Sequence, residues 1–250
     1  MQALYTTNLF MHATAGAIGL VSMFVPLLCK KGSRLHRGAG WVFTAAMATV
    51  AVTGVLMALS WVLVPLQVKP PSRVLDAAEQ ARYLSMLRTY ALFFGFLAVL
   101  VGSATWQGIV AIRQRRRSIA WGNSVDRGFA AALLGLGALL LLVGISEEQP
   151  LLIGFGGLGL FNGVGDLRFY RQMKRERGAW LLRHVQAMLG GATAATTAFA
   201  VQVVGRTLSN NGLESWGILA WVVPGVLGML TSVAWSRRVR RMMTPGYTRG

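Results

Sequence analysis

The chain has 250 residues, of which 54% are hydrophobic and only 13% are charged, about half the charged share of ordinary soluble domains. Its formal net charge is +17, but the basic residues lie in short loops between apolar runs. This placement indicates membrane orientation and attraction to anionic lipid rather than binding of nucleic acid. The single cysteine, Cys29, excludes a disulfide framework and a thiolate metal site.

Uninterrupted apolar runs recur along the whole chain, and each is long enough to cross a hydrocarbon core of ~30 Å as a helix. The predicted spans cover residues 8–29, 41–66, 87–112, 127–146, 151–167, 180–205 and 216–236. The first run is too long for the apolar part of a signal peptide, so we interpret it as a retained helix. The sequence therefore predicts an all-α integral membrane bundle of seven helices, forming a single transmembrane domain over residues 1–250.

Positive charge alternates between the loops that join these spans. Of the 25 lysines and arginines, 20 lie in the first, third and fifth loops and in the C-terminal tail, and 5 lie in the loops on the other side. Because positively charged loops face the cytoplasm, the sequence predicts an N-terminus outside and a C-terminus in the cytoplasm.

The second loop, residues 67–88, is the longest on the outer side. Pro70 and Pro71 are predicted to end the second span, and Ser72 to cap a short helix that carries Asp76 and Glu79 early. We expect this helix either to lie on the outer surface or to extend the third span.

A glycine-rich stretch in the fifth span, residues 154–159, matches the G-x-G-x-x-G pattern of dinucleotide sites. Such a site needs a strand before the glycines, whereas this stretch lies inside an apolar run. Gly159 and Gly163 also form a G-x-x-x-G pair, which is typical of closely packed membrane helices. We therefore predict helix packing here rather than nucleotide binding.

The three histidines are functional candidates, because polar groups inside a bilayer are costly. His36, just before the second span, and His184, one turn into the sixth, both belong near the cytoplasmic boundary. His12 belongs near the outer boundary, about 20 Å away given the thickness of the bilayer. A His36–His184 pair can therefore hold a single b-type haem, with His12 as a further candidate haem or metal ligand. Alternatively, His36 and His184 bind phosphate headgroups or cap helix ends.

Two basic segments on the inner side, residues 30–38 and 175–184, share a histidine, several positive charges and a glycine close to a helix start. The positive end of a helix dipole favours an anion at such a place. We expect six side chains to bind an anionic ligand there: Arg34, His36, Arg37, Arg183, His184 and Gln186.

Asp166, in the fifth span, is predicted to be the only semi-buried carboxylate near the inner loops. Its plain role is to pair with Arg183, Arg168 or Arg127. Its alternative role is that of a proton-linked carboxylate in a transporter.

Several short motifs resemble a family of bacterial multi-pass membrane proteins of unknown function. Residues 31–40 read K-G-x3-H-R-x2-G after an H-x3-G in the first span, residues 183–191 read R-H-x2-A-M-L-G-G, and residues 196–199 read T-T-A-F. The resemblance implies a bacterial inner (plasma) membrane protein in which His12, His36, Arg37 and His184 belong to the patterned part, and it carries no settled activity.

The leading functional hypothesis is a non-enzymatic protein that binds an anionic or amphiphilic ligand, such as a lipid, a quinone or a phosphorylated metabolite, at its cytoplasmic face. The alternatives are a single-haem redox protein using His36 and His184, a small-solute transporter, and an accessory subunit of a membrane complex. Expected partners are membrane lipids and either another membrane protein or a second copy of the chain, with no nucleic acid.

Overall fold

The computed structural model describes residues 1–113, 123–171, 178–205, 207, 210–211 and 217–243, and over these residues the regular structure is helical, with no strand. Seven helical segments of the described chain are long and apolar enough to cross a membrane. The prediction of an all-α chain with seven membrane-length helices is therefore confirmed. Several basic residues of the predicted loops lie outside the described residues. They are Arg115, Arg116, Arg117, Lys174, Arg175, Arg177, Arg206 and Arg249.

The helices are α1 (Gln2–Ser22), α2 (Phe24–Leu28), α3 (Arg34–Leu63), α4 (Pro65–Val68), α5 (Ala77–Arg113), α6 (Ser124–Ser146), α7 (Pro150–Arg171), α8 (Ala179–Ala200) and α9 (Ile218–Met243). A five-residue π-helical segment, Val201–Gly205, follows α8. The short helix α2 continues the first apolar stretch, which runs over Gln2–Leu28.

Helix α3 begins at Arg34 rather than at residue 41, so the prediction that His36 and Arg37 lie in a loop is wrong. Ser33 caps this helix, because its Oγ accepts a hydrogen bond from the His36 N–H at 3.1 Å and its carbonyl accepts one from the Arg37 N–H at 3.1 Å. Such a cap satisfies N–H groups that the first turn otherwise leaves unpaired. Both side chains therefore project from the first turn of a helix.

Helix α5 begins at Ala77, so the third span is extended on its N-terminal side, which was one of the two expectations for residues 67–88. The capping residue is Asp76 and not Ser72. The Glu79 N–H donates to Asp76 Oδ1 at 2.8 Å, and the Asp76 N–H donates back to Glu79 Oε2 at 3.1 Å. This reciprocal pair is a capping box, which fixes the start of the helix.

The described chain folds into two compact units that alternate along the sequence. Unit 1 consists of Met1–Ala15, Ala48–Ser103 and Ala120–Met173, and unit 2 consists of Gly16–Met47, Ala104–Ile119 and Lys174–Gly250.

In unit 1, α6 and α7 form an antiparallel hairpin in which glycines let the two backbones touch. A Cβ on Gly156 would lie 2.6 Å from the backbone N of Leu141, and a Cβ on Gly159 would lie 3.0 Å from the Cα of Gly137. The glycine-rich stretch therefore lies in a helix, and Gly156, Gly159 and Gly163 serve close packing as predicted, whereas Gly154 and Gly157 face open space.

In unit 2, α8 runs antiparallel to α9 and packs against α3. Gln186 Nε2 donates to Ser236 Oγ at 3.3 Å, and Gly228 of α9 lies directly against the side chain of Thr193. On another face of α8, the Phe43 ring of α3 lies 3.4 Å from the position that a Cβ on Gly191 would take. These contacts fix the N-terminal half of α8 between two neighbouring helices.

Candidate functional site

His36 is held by a backbone carbonyl of the preceding short helix. Its Nδ1 lies 3.2 Å from the carbonyl oxygen of Pro26 in α2. A carbonyl only accepts hydrogen bonds, so this contact requires a proton on Nδ1, and in the neutral ring the lone pair is then on Nε2. Lys31 Nζ donates to the same Pro26 carbonyl at 2.7 Å and to the Leu27 carbonyl at 2.6 Å, which satisfies the last carbonyls of α2.

His184 is held in the same chemical manner by a different helix. Its Nδ1 lies 2.9 Å from the carbonyl oxygen of Gly108 in α5. A Cβ at residue 108 would overlap the Met188 side chain, which lies one turn further along α8. The absence of a side chain at Gly108 therefore lets this face of α8 approach the α5 backbone closely. In the neutral ring, Nε2 of His184 again carries the lone pair.

The two imidazoles lie at matching positions along α3 and α8. Phe43 follows His36 by two helical turns, Gly191 follows His184 by two helical turns, and these two later residues are in contact. Residues seven apart lie on nearly the same face of a helix. The structure therefore places these two predicted site residues at matching positions on two helices that are in contact two turns further along.

His12 belongs to unit 1, where it joins α1 to α3. The Thr53 Oγ1 donates to the Thr49 carbonyl at 2.6 Å, so it can only accept from His12 Nδ1, which lies 2.9 Å away. Asn8, one turn earlier on α1, donates to the Thr53 carbonyl at 2.9 Å. His12 thus forms part of a polar contact between two helices of its own unit.

The basic side chains between residues 30 and 37 differ in what they contact. Lys31 also lies 4.9 Å from the centre of the Trp235 ring, and Arg37 Nη1 donates to the Gly32 carbonyl at 2.9 Å. Among the described residues, the ion pair formed is Arg73–Glu79 in unit 1, and no carboxylate pairs with Arg34 or Arg37. The first turn of α3 carries no acidic residue. Its positive charge is therefore not neutralised by the described protein.

The remaining two predicted ligand residues on α8 are placed differently from His184. Arg183 is half-buried, with its Nε atom buried. Gln186 is exposed and donates to Ser236 on α9. Two positions along a helix correspond to a rotation of about 200°, so Gln186 lies on the side of α8 away from His184. It is not brought to the histidine pair.

Two carboxylates are buried in unit 1, although only Asp166 was expected. Asp166 on α7 is 3% exposed, and Asp126 in the first turn of α6 is 2% exposed. Asn123 and Asp126 form a capping box, with the Asp126 N–H donating to Asn123 Oδ1 at 2.9 Å and the Asn123 N–H to Asp126 Oδ2 at 3.0 Å. The sequence pattern N-x-x-D before an apolar run is the signal that predicts this cap.

The donor set restricts the kind of ligand that the histidine pair can hold. No group of three or more His, Cys, Asp or Glu side chains converges anywhere in the described part of the chain. A structural zinc site needs four protein ligands and a catalytic one needs three, so the described residues do not provide either. They provide two imidazole nitrogens and a positively charged helix start.

Comparison with known proteins yields no match to a family, to a curated protein or to a solved structure. The family resemblance of the short motifs therefore stays a prediction, as do the transporter and accessory-subunit hypotheses.

Proposed function

We propose that this chain is a multi-pass protein of the bacterial inner membrane that binds an anionic amphiphile at its cytoplasmic face. In this orientation the N-terminus is outside and the C-terminus is cytoplasmic. Seven apolar helices of sufficient length and the one-sided distribution of basic loops support the topology. The first turns of α3 and α8 form the binding surface.

The observation that carries the proposal is the unneutralised positive charge at the start of α3. Arg34 and Arg37 lie where the helix dipole is already positive, an arrangement that is unfavourable by about 0.3–1 kcal/mol per charge near the surface. The backbone N–H groups of Arg34 and Leu35 have no acceptor among the described residues. Two free N–H donors, a dipole and two guanidinium groups together suit a phosphate or a carboxylate group.

The surroundings of this helix start favour an amphiphile over a free anion. Trp41 is 59% exposed and follows Arg37 by one turn and Arg34 by two turns, so it lies on the face of α3 that carries both guanidinium groups. A ligand with an acidic head and an apolar body would contact the guanidinium groups and this side chain at once. Such contacts add dispersion contacts to the pairing of the charges.

Native mass spectrometry of the purified protein in detergent tests the binding. Phosphatidylglycerol is the anionic probe, and phosphatidylcholine is the neutral comparison. We expect the double variant Arg34→Ala/Arg37→Ala to bind phosphatidylglycerol on the order of tenfold more weakly, since about 1.4 kcal/mol corresponds to a factor of ten. The matched control is Arg237→Ala/Arg241→Ala, which removes two exposed charges at the end of α9. Equal losses in both variants, or no preference for the anionic lipid, would overturn the proposal.

The orientation is tested separately with reporters fused to the C-terminus. A fluorescent reporter that folds only in the cytoplasm should be active there, and a phosphatase that folds only outside should be inactive. The opposite pattern would place the basic helix starts on the outer side and refute the cytoplasmic binding surface.

A further inference from the structure

We propose that the exposed face of α7 holds a separate lipid site, in which one anionic phospholipid lies in a groove over Gly165 with its phosphate against Arg168. The groove has a volume of about 430 Å³ and is lined by Leu160, Phe161, Val164, Gly165 and Arg168. All of these residues belong to α7 in unit 1, so the site shares no residue with the binding surface proposed on α3 and α8. The two proposals have only the membrane orientation in common.

The groove follows from the order of the side chains along α7. Phe161 and Arg168 are seven residues apart, so they lie on nearly the same side of the helix, about 10 Å apart along its axis. Gly165 lies between them, and a Cβ built there would meet no atom within 4 Å. Phe161 is 78% exposed and Val164 is 38% exposed, so the rest of the chain does not cover the groove. Its lining is mainly apolar and ends at a guanidinium group.

Gly165 differs from the glycines that pack α7 against α6. Gly156, Gly159 and Gly163 each lie against α6, and this close approach offsets the low helix propensity of glycine. Gly165 makes no such contact within the described chain. Gly154 and Gly157 are equally open, but no basic residue lies within two turns of either. Among the open glycines of α7, Gly165 is therefore the one that adjoins a positive charge.

The charge at the inner end of the groove favours an anionic phospholipid over a neutral one. Arg168 is exposed in the last turn of α7, and no carboxylate within the described ranges forms an ion pair with it. Asp166 is 3% exposed and lies on the opposite side of the helix. In the proposed orientation this turn lies at the cytoplasmic leaflet, whose anionic headgroups attract basic residues next to a span.

The two parts of a phospholipid match the two parts of the groove. The dipole of α7 favours Arg168 at this end, so the phosphate would bind to the guanidinium group itself and not to free N–H groups of the helix. An acyl chain of the same lipid would then lie over Gly165 and beside the Phe161 ring, where it gains dispersion contacts.

A photoreactive p-benzoyl-phenylalanine at position 161 tests the site in nanodiscs that contain equal amounts of phosphatidylglycerol and phosphatidylcholine. Mass spectrometry of the cross-linked full-length protein then counts the adducts of each lipid. We expect phosphatidylglycerol adducts to exceed phosphatidylcholine adducts about fivefold, which corresponds to the attraction of about 1 kcal/mol between one basic residue and an anionic leaflet. The same probe at position 139 of α6 should cross-link both lipids equally, because Leu139 is 48% exposed and no basic residue lies within two turns of it.

Three variants locate the preference at position 161. Arg168→Gln removes the charge and should reduce the lipid ratio to that found at position 139. Gly165→Leu keeps the charge but fills the groove, and should also reduce the ratio. Its matched control is Gly154→Leu, which adds the same side chain to the same face of α7 three turns further out and should leave the ratio unchanged.

Equal lipid ratios at positions 161 and 139 would refute the site, and a preference for phosphatidylglycerol that survives Gly165→Leu would refute the groove. Adducts to a second protein chain in place of lipid would show that another helix covers this face, which also overturns the inference. Arg34→Ala/Arg37→Ala separates the two proposals, because it should weaken lipid binding at α3 and leave the ratio at position 161 unchanged. Loss of the ratio in that variant contradicts a separate site. An intact ratio at position 161, together with unaltered phosphatidylglycerol affinity of the α3 variant, supports this site and overturns the proposed function alone.

Discussion

Replacement of Gly156 by alanine is expected to weaken the contact between α6 and α7. The new Cβ would lie 2.6 Å from the backbone N of Leu141, 2.8 Å from its Cα and 2.9 Å from the carbonyl oxygen of Gly137. Carbon atoms pack at about 3.5–4.0 Å. All three neighbours are backbone atoms that cannot rotate away, so α6 and α7 must move apart by about 1 Å.

The magnitude follows from two opposing effects. Forcing an extra methyl group into a packed contact costs about 1–3 kcal/mol. Alanine is a better helix former than glycine by roughly 1 kcal/mol. Gly156→Ala should therefore lower the free energy of unfolding by up to about 2 kcal/mol. The matched control is Gly157→Ala, where a Cβ meets no atom within 4 Å, and which should raise the free energy of unfolding by up to about 1 kcal/mol.

Unfolding in mixed micelles with increasing SDS, followed by tryptophan fluorescence, measures this difference. Helix propensity cancels between the two variants, so the comparison isolates the backbone contact. If Gly156→Ala unfolds at the same SDS fraction as Gly157→Ala, the close approach of α6 and α7 at this position is refuted.

Three further predictions use the same unfolding assay. Thr53→Val removes the hydroxyl that accepts from His12 Nδ1 and should lower the free energy of unfolding by about 1 kcal/mol. Thr53→Ser keeps the hydroxyl and should keep the hydrogen bond. If the two variants are equally stable, this hydrogen bond does not contribute to stability. Asn123→Ala removes the capping box of α6 and should lower the free energy of unfolding by about 1 kcal/mol. Asn123→Asp keeps a capping oxygen and should recover most of that free energy. Equal stability of Asn123→Ala and the wild type would contradict the cap. Arg34→Glu places a negative charge at the positive end of α3 and should stabilise the ligand-free protein by about 0.5 kcal/mol while weakening phosphatidylglycerol binding; a loss of stability would argue against the dipole reasoning.

The number of long helices could be predicted from sequence, because each depends mainly on an apolar run of sufficient length. The start of α3 could not, because residues 34–40 are basic and rich in glycine, and hydrophobicity alone places the boundary at Trp41. The cap at Ser33 fixes the start of α3 instead. A single serine is a weak signal in the sequence, because the N–H group that it caps is not known in advance. The π-helical turn at Val201–Gly205 has no sequence signal that we identified.

The histidine site was predictable in part for a similar reason. The order of the spans was enough to expect His36 and His184 at one depth. The carbonyls that hold them were not predictable, because they come from Pro26 and Gly108, two backbone groups without any chemical signature in the sequence. Gln186 illustrates the opposite case, since its polarity suggested a ligand while its helical position directs it to α9.

Membrane orientation alone does not account for the basic residues at the start of α3. The orientation of a membrane protein depends on lysines and arginines near the ends of its spans. It does not depend on whether these residues lie in the first or in the last turn of a helix. In α9, Arg240 and Arg241 lie in the last turn, where the negative end of the dipole favours them. In α3, Arg34 and Arg37 lie in the first turn, where the dipole opposes them. The dipole of α9 thus favours its arginines, whereas the dipole of α3 opposes Arg34 and Arg37, and a bound anion would offset that opposition. This contrast between two helix ends of one chain is the physical reason to seek the ligand at α3.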